Sequence, residues 1–191
     1  LNPNKLTKSG HTFLGWAREQ SATVPEFTDK QVVVDLATEG QTAVTLYAVW
    51  APNTYYVEFR ANSGEGSMAN QTFTYGVEQE LSANTFTKEG YTFLGWAKSG
   101  TTTKVSYDDK EAVRNLTQTN GATIVLYAVW EKNPVTVTSI FVSTEPAKKE
   151  YFVGDTFDAT GLAIGVNLSD HTVKTITTGF EVSAPDMTTV G

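Results

Sequence analysis

The chain has 191 residues and carries 21 acidic against 14 basic side chains, which gives a formal net charge of −7 at pH 7. This acidic balance argues against a nucleic-acid partner, which needs a clustered basic face, and against an anionic membrane surface. No apolar run approaches the roughly 18 residues of a membrane-spanning helix. The absence of cysteine excludes disulfides and thiolate metal sites.

The same unit is present twice. Residues 10–17 (GHTFLGWA) return 80 residues later as GYTFLGWA, and residues 45–50 (TLYAVW) return at the same offset as VLYAVW. We call residues 1–50 copy one and residues 51–132 copy two. Tandem copies are typical of stalks, spacers and multivalent binders, whereas an enzyme usually needs one site. Chemistry that belongs to the unit should therefore appear in both copies.

Copy one corresponds only to the part of copy two that starts at Leu81. It therefore has no counterpart of the first predicted hairpin of copy two. A partial unit of this kind leaves strand edges unpaired. We expect copy one to fray or to lean on a neighbour.

Copy two begins with a predicted β-hairpin. Residues 55–61 (YYVEFRA) and 71–75 (QTFTY) read as strands and flank a turn-rich segment, NSGEGS, at residues 62–67. Residues 91–97 predict a third strand. Residues 124–130 are apolar on both faces, the pattern of a central strand rather than an edge strand.

One segment of the repeat predicts a short helix, over residues 108–116 (DDKEAVRNL). Asp108 with Glu111 has the spacing of a capping box, and Thr28 with Gln31 has it in copy one. The apolar Val113 and Leu116 are three residues apart and would share a helix face.

A different module follows a short polar joint at residues 131–134. Runs at 135–143, 162–168, 171–177 and 180–182 predict short strands, and residues 151–155 predict a strand that runs into a turn. Asp170 and His171 are the predicted tip of a hairpin. Strands spaced by about eight to twelve residues indicate a β-sandwich.

The repeated residues resemble a known family. Residues 87–96 (TKEGYTFLGW) and 126–130 (LYAVW), with residues 7–16 and 46–50 in copy one, are similar to the Listeria–Bacteroides repeat of internalin-type bacterial surface proteins. The resemblance implies a β-grasp-like module that is carried in arrays outside the cell wall.

The last module resembles a bacterial immunoglobulin-like domain. The residues that carry this second resemblance are Ile140, Val142, Tyr151, Gly154, Asp155, Phe157, Asp158, Gly161 and Leu162. The pattern of that family calls for one further strand after Gly191, so we expect the module to lack its last strand.

Together these readings predict a mainly β chain of tandem small β-grasp-like α+β repeat modules followed by an Ig-like β-sandwich. The expected domains are a partial repeat at residues 1–50, a complete repeat at 51–132 and an Ig-like domain at 134–191.

No catalytic, cofactor-binding or metal-binding residue is predicted. His11 is replaced by Tyr91 in the other copy, and His171 stands beside Asp170 without a nucleophile. The acidic groups at residues 108–111 and 155–158 lack the ligand spacing of a calcium loop.

Aromatic side chains are the remaining candidates. Trp16, Trp50, Trp96 and Trp130 belong to the repeated framework, so core packing is expected for them. If the repeat binds a ligand such as a glycan, the hairpin residues Tyr55, Tyr56, Phe73 and Tyr75 are the candidate contacts.

We therefore expect a non-catalytic stalk or interaction segment of a bacterial surface or secreted protein, an adhesin in its most specific form. The expected location is extracellular, at the cell surface or cell wall, without membrane insertion. The expected partner is a protein or glycan of a host or neighbouring cell. The alternative is a carbohydrate-binding accessory region of a larger secreted hydrolase, for which ligand contacts on the hairpin would be the distinguishing feature.

Overall fold

The computed structural model describes residues 1–183 and residue 185. In this part of the chain it contains strands and no helix. The strands are β1 (His11–Ala17), β2 (Tyr47–Pro52), β3 (Thr54–Arg60), β4 (Gln71–Thr74), β5 (Gln79–Glu80), β6 (Tyr91–Ala97), β7 (Ala112–Val113), β8 (Thr123–Lys132), β9 (Val137–Thr144), β10 (Ala163–Leu168) and β11 (Val173–Ile176). The chain forms two compact units, of which the first is Leu1–Glu131 and the second starts at Lys132. The prediction of a mainly β protein is confirmed.

Copy two is built on a four-stranded sheet with the order β4-β3-β8-β6. The antiparallel pair β3 and β4 places Tyr55 opposite Phe73, which confirms the predicted hairpin. The parallel pair β3 and β8 places Phe59 opposite Leu126. Strand β8 is therefore central, as its apolar pattern indicated. The short strands β5 and β7 pair separately.

Alternation along β3 builds the core of this copy. Tyr55, Val57 and Phe59 point to one face and are buried, while Tyr56 and Glu58 lie on the other face. The side chains that complete this core are Phe73, Leu81, Phe86, Trp96, Val113, Leu126 and Ala128. A period of two with one buried face is what a sheet packed on one side requires.

The predicted helix over residues 108–116 is wrong. The Asp108 amide does donate to Glu111 Oε2 over 2.7 Å, as a capping box would require. However, Lys110 has a φ of +59°, a left-handed conformation that ends any helix after one turn. Val113 instead lies in strand β7, where it pairs with Gln79 of β5, and its side chain is buried. The β-grasp detail stays a prediction, because no helix crosses the sheet in the described residues.

Copy one contains a two-stranded antiparallel sheet of β1 and β2, with Phe13 opposite Trp50. Its loops repeat the hydrogen bonds of copy two. The Trp16 amide donates to Phe27 O over 2.8 Å, just as the Trp96 amide donates to Tyr107 O over 2.8 Å. The partial unit therefore keeps the internal framework of the complete one.

The second unit contains a three-stranded antiparallel sheet with the order β11-β10-β9 among the described residues. Its predicted hairpin tip is confirmed: His171 has a φ of +63°, and the Thr172 amide donates to Asp170 Oδ1 over 3.1 Å. No strand forms at residues 151–155 or 180–182, so these two strand predictions are wrong. The turn predicted at the end of the first run is present, and in it the Asp155 amide donates to Phe152 O over 3.0 Å. The expectation of a missing last strand lies outside the described residues.

Candidate functional site

A junction between the two repeat copies is the most distinctive polar feature of the first unit. We call it the repeat junction. It consists of Ser9, Gly10, Thr12, Asn53, Tyr75 and Gln118. Strand β2, which pairs with β1 of copy one, ends at Pro52, and β3, the first strand of the copy-two sheet, begins at Thr54, so a single residue, Asn53, connects the two sheets.

Asn53 is the one buried polar side chain among the described residues, with 7% of its surface exposed. On the side of copy one, the backbone amide of Asn53 donates to Gly10 O over 2.8 Å, and Thr12 Oγ1 donates to the side-chain Oδ1 over 2.6 Å. On the side of copy two, the backbone carbonyl of Asn53 accepts from the Tyr75 amide over 2.8 Å, and the side-chain Nδ2 donates to Gln118 O over 2.7 Å. All four polar groups of this buried residue are therefore satisfied, two by each copy.

Gly10 permits a close approach at the repeat junction. Its φ is +65°, and a Cβ at this position would lie 2.3 Å from ring atoms of Tyr75. The counterpart Gly90 has a similar φ of +72° but open space where a Cβ would be. The same glycine therefore serves a turn in copy two and both a turn and a contact in copy one.

Two side chains around that glycine extend the contact. Ser9 Oγ donates to Gln118 Oε1 over 2.7 Å. The His11 ring meets the Tyr75 ring edge-on, with centroids 5.9 Å apart and an interplanar angle of 71°. Copy two is therefore the neighbour against which the partial copy packs.

The four hairpin aromatics are not brought together on one surface. Tyr55 and Phe73 are buried and stack on each other with ring centroids 5.5 Å apart, and Tyr55 Oη accepts from the Leu116 amide over 3.3 Å. Both are thus core residues, because alternation turns them inward, and neither presents a face to a ligand. Tyr56 is 39% exposed on the opposite face, and Tyr75 packs at the repeat junction.

The indoles pack against phenylalanines in both copies. In copy two, Phe93 lies between Trp96 and Trp130, at centroid distances of 5.0 and 5.6 Å. In copy one, Phe13 lies between Trp16 and Trp50, at 5.1 and 5.4 Å. Trp96 is fully buried and the other three indoles are partly buried, so the expected packing role is confirmed.

The acidic groups considered for calcium are engaged in loop hydrogen bonds. Asp155 Oδ2 accepts from the Phe152 amide over 3.1 Å and from Lys148 Nζ over 3.0 Å, and these contacts lower the pKa of Asp155. Hydrogen bonds from the hydroxyl and amide of Thr160 lower the pKa of Asp158. Within the described residues, no three His, Cys, Asp or Glu side chains converge as a metal site would require.

The tip of the β10–β11 hairpin holds a third carboxylate of this kind. Hydrogen bonds from the Thr172 hydroxyl and amide lower the pKa of Asp170. Each shift arises from donors that stabilise the charged form. These carboxylates therefore hold loops of the second unit in place.

No helix in the described part of the chain is long and apolar enough to cross a membrane.

Sequence reasoning missed Asn53. An asparagine follows the last tryptophan of each copy by three residues, as Asn53 after Trp50 and as Asn133 after Trp130, but this pattern does not indicate burial, because Asn133 is exposed. A polar residue at a repeat boundary reads as an ordinary linker residue until its burial is known.

Comparison with known families agrees with this organisation. The Listeria–Bacteroides repeat domain matches residues 1–49 and 55–129, and the bacterial Ig-like domain of group 3 matches residues 144–191. No solved structure gives a significant match.

Three curated proteins are similar to most of this chain. Internalin H of Listeria monocytogenes is 34% identical over 137 residues, which cover 69% of this chain and 21% of that protein. A protein of Evansella cellulosilytica whose name describes it as a membrane protein is 33% identical over 136 residues, or 71% of this chain and 18% of that protein. A second Evansella protein, described as a Gly-rich membrane protein, is 29% identical over 135 residues, or 69% of this chain and 15% of that protein.

The chain thus spans about a fifth or less of the length of these relatives. The family matches cover both repeat copies and continue into the second unit. The chain belongs to the Listeria–Bacteroides repeat family, with its repeats followed by a bacterial Ig-like domain.

Proposed function

We propose that this chain is a non-catalytic stalk segment of a bacterial cell-surface protein. The observation that carries the proposal is the repeat junction. Its connection is one residue long, and that residue is buried and hydrogen-bonded to both copies. A stalk needs modules joined at a fixed spacing, and a flexible linker would not provide one.

The families and relatives support a location at the cell surface. The chain is similar to Internalin H, and the two Evansella relatives carry names that describe them as membrane proteins. We propose an extracellular position at the cell surface or cell wall, with the domains divided at residues 1–50, 51–132 and 134–191. Adhesion to a protein or glycan of a host or neighbouring cell is the more specific part of the proposal.

Surface exposure is the direct test. Intact cells of the bacterium that encodes the chain would be treated with protease and probed with an antibody raised against residues 1–191. The proposal predicts that the antibody labels intact cells and that protease removes the signal, while a cytoplasmic marker is retained. An epitope that becomes accessible only after lysis would refute the surface location.

The carbohydrate-binding alternative gains no support from the hairpin. It required an aromatic platform, and two of its four members, Tyr55 and Phe73, are core residues. Tyr56 is exposed on the open face of the sheet, whereas Tyr75 is partly buried at the repeat junction. A glycan array with the intact chain and a Tyr56→Ala variant would test what remains of that idea.

A further inference from the structure

A small pocket lies beyond the end of β3, and we call it the turn pocket. It has a volume of about 240 Å³. The turn that follows β3 and the loop that follows β6 form its walls. The residues that carry its chemistry are Asn62, Ser63, Lys88, Trp130 and the threonines at 101–103. The pocket therefore lies entirely within copy two.

The turn in one wall of the turn pocket has a residue that its backbone does not favour. The Gly64 amide donates to Ala61 O over 3.0 Å, which closes a β-turn on Asn62 and Ser63. Both central residues are left-handed, with φ values of +49° and +68°. Turns of this kind favour asparagine, aspartate or glycine at the first position and glycine at the second. Ser63 is therefore kept against the preference of its own turn, and it lines the pocket.

Hydrogen bonds to the surrounding frame hold the polar groups of the turn pocket in place. Asn62 Nδ2 donates to Ala128 O over 2.9 Å, and Trp130 Nε1 donates to Ala61 O over 2.7 Å. Thr102 Oγ1 accepts from the Lys104 amide over 3.1 Å, so its own hydrogen is available as a donor. Because these groups are already fixed, a ligand would order little of the protein when it binds.

The charge of the turn pocket is positive. Lys88 is part of the lining, which includes no carboxylate among the described residues. Lys88 is partly buried, and its Nζ lies 4.2 Å from the centroid of the Tyr91 ring. None of the ion pairs formed within the described part of the chain includes Lys88. An anionic group on a ligand would thus gain a charge-assisted hydrogen bond without displacing a carboxylate of the protein.

The lining favours a ligand that carries many hydroxyl groups. Sites for apolar molecules are lined mainly by hydrophobic side chains, whereas Ser63 and the threonines at 101–103 give this one a row of hydroxyl groups. The partly buried Trp130 adds an aromatic surface, against which the C–H face of a sugar ring can pack. The volume lies below the range of sites for drug-sized molecules, so it suits a single sugar ring.

We propose that the turn pocket binds a sugar residue that carries a carboxylate. The carboxylate pairs with Lys88, and the ring hydroxyl groups bond to Asn62, Ser63 and the loop of residues 100–103. The ligand in its natural form is an acidic glycan. This inference deepens the adhesion part of the proposed function and rests on the extracellular location for access to such a glycan.

The test is a titration of the full ¹⁵N-labelled chain, followed by amide chemical shifts, with two matched probes. Methyl β-glucuronide should shift the amides of residues 62–63 and 100–103 with a dissociation constant of about 1 mM. Methyl β-glucoside has the same ring without the carboxylate and should bind at least about tenfold more weakly, because the bond to Lys88 is lost. Acetate, which has the carboxylate without the ring, should also bind at least about tenfold more weakly than the glucuronide.

Chain variants separate a ligand contact from a structural role. Lys88→Met should reduce the affinity for the glucuronide to that for the glucoside, whereas Lys8→Met, at the equivalent exposed position of copy one, should leave it within about twofold. Ser63→Gly should weaken glucuronide binding by about threefold or more through the lost hydroxyl. The same variant should raise the urea midpoint of the first unit, because glycine suits a left-handed position better than serine does.

Four results would overturn the sugar site. They are no shift at residues 62–63 and 100–103 with about 50 mM glucuronide, equal affinity for glucuronide and glucoside, equal affinity for glucuronide and acetate, and unchanged binding by Lys88→Met or Ser63→Gly. None of these results bears on the surface location, which the protease experiment tests separately. An intracellular location would in turn leave the measured binding intact and remove only the access to an extracellular glycan.

Discussion

Removing the side chain of Asn53 tests the repeat junction most simply. Asn53→Ala deletes the bond accepted from Thr12 Oγ1 and the bond donated to Gln118 O. Each such bond contributes about 1 kcal/mol net. Thr12 and Gln118 are themselves exposed and can turn to water, so no further penalty for a stranded buried group applies. We therefore expect a loss of about 2 kcal/mol in the free energy of unfolding of the first unit.

A urea titration followed by tryptophan fluorescence measures this loss, because all four indoles lie in the first unit. Asn70→Ala is the control. It removes the same kind of side chain from an exposed position of the first unit and should change stability by less than about 0.5 kcal/mol.

A double-mutant cycle adds a second check. Thr12→Val should cost about 1–3 kcal/mol in the parent chain, because it leaves the buried Asn53 Oδ1 without its donor, and close to nothing in the Asn53→Ala background, where that acceptor is gone. Equal costs in the two backgrounds, or an Asn53→Ala variant as stable as the parent, would refute the role assigned to this residue.

Three further predictions concern packing and pH. Gly10→Ala should destabilise the first unit by about 1–3 kcal/mol more than Gly90→Ala, because both pay the same backbone cost and only the first meets the Tyr75 ring; equal urea midpoints would contradict this. Phe73→Ala should lower the free energy of unfolding by about 3–5 kcal/mol, because Phe73 is buried, whereas Tyr56→Ala, on the exposed face of the same hairpin, should change it by less than about 1 kcal/mol. A larger loss for Tyr56→Ala than for Phe73→Ala in urea denaturation would contradict this assignment. In the second unit, Asp155, Asp158 and Asp170 have lowered pKa values, so the folded state binds protons at these carboxyl groups less readily than the unfolded state does. Their stabilising contribution is complete above about pH 4 and is lost as the pH falls through the folded pKa values. Carboxyl chemical shifts recorded against pH measure these pKa values. Carboxyl groups that titrate at or above about pH 4 would contradict it.

Much of the first unit could be predicted because its strands carry strong patterns. Alternation in residues 55–61 and the doubly apolar run at 124–130 each has one structural solution in a sheet, and both are confirmed. The repeat itself made the family recognisable before any fold was known.

The helix could not be ruled out from the sequence because a capping-box spacing is shared with a tight turn. The bond from the Asp108 amide to Glu111 is formed in either case. Whether a helix or a turn forms depends on Lys110, whose left-handed backbone is repeated at Lys30 in copy one. Lysine has no preference for the left-handed conformation, so the sequence does not predict it. In copy two the pairing of Val113 with β5 adds a tertiary contact, which the local sequence pattern does not show.

The candidate site was predictable only in part. Tyr55 and Tyr56 are equal candidates by residue type, but alternation with Val57 and Phe59 places only Tyr55 on the apolar face of the strand, and that face is the buried one. Asn53 is polar and lies between units, which by composition predicts a solvated linker. Its burial follows from the approach of the two copies, which no local pattern encodes.

The most direct test of the stalk account is the distance distribution between the two copies. The chain has no cysteine, so Leu14→Cys and Leu94→Cys introduce spin labels at exposed, equivalent positions in the two repeats. A single narrow distribution in pulsed electron resonance, which broadens when Asn53→Ala is added, is the result that the account predicts. A distribution that is already broad in the parent chain would contradict a fixed junction between the repeats.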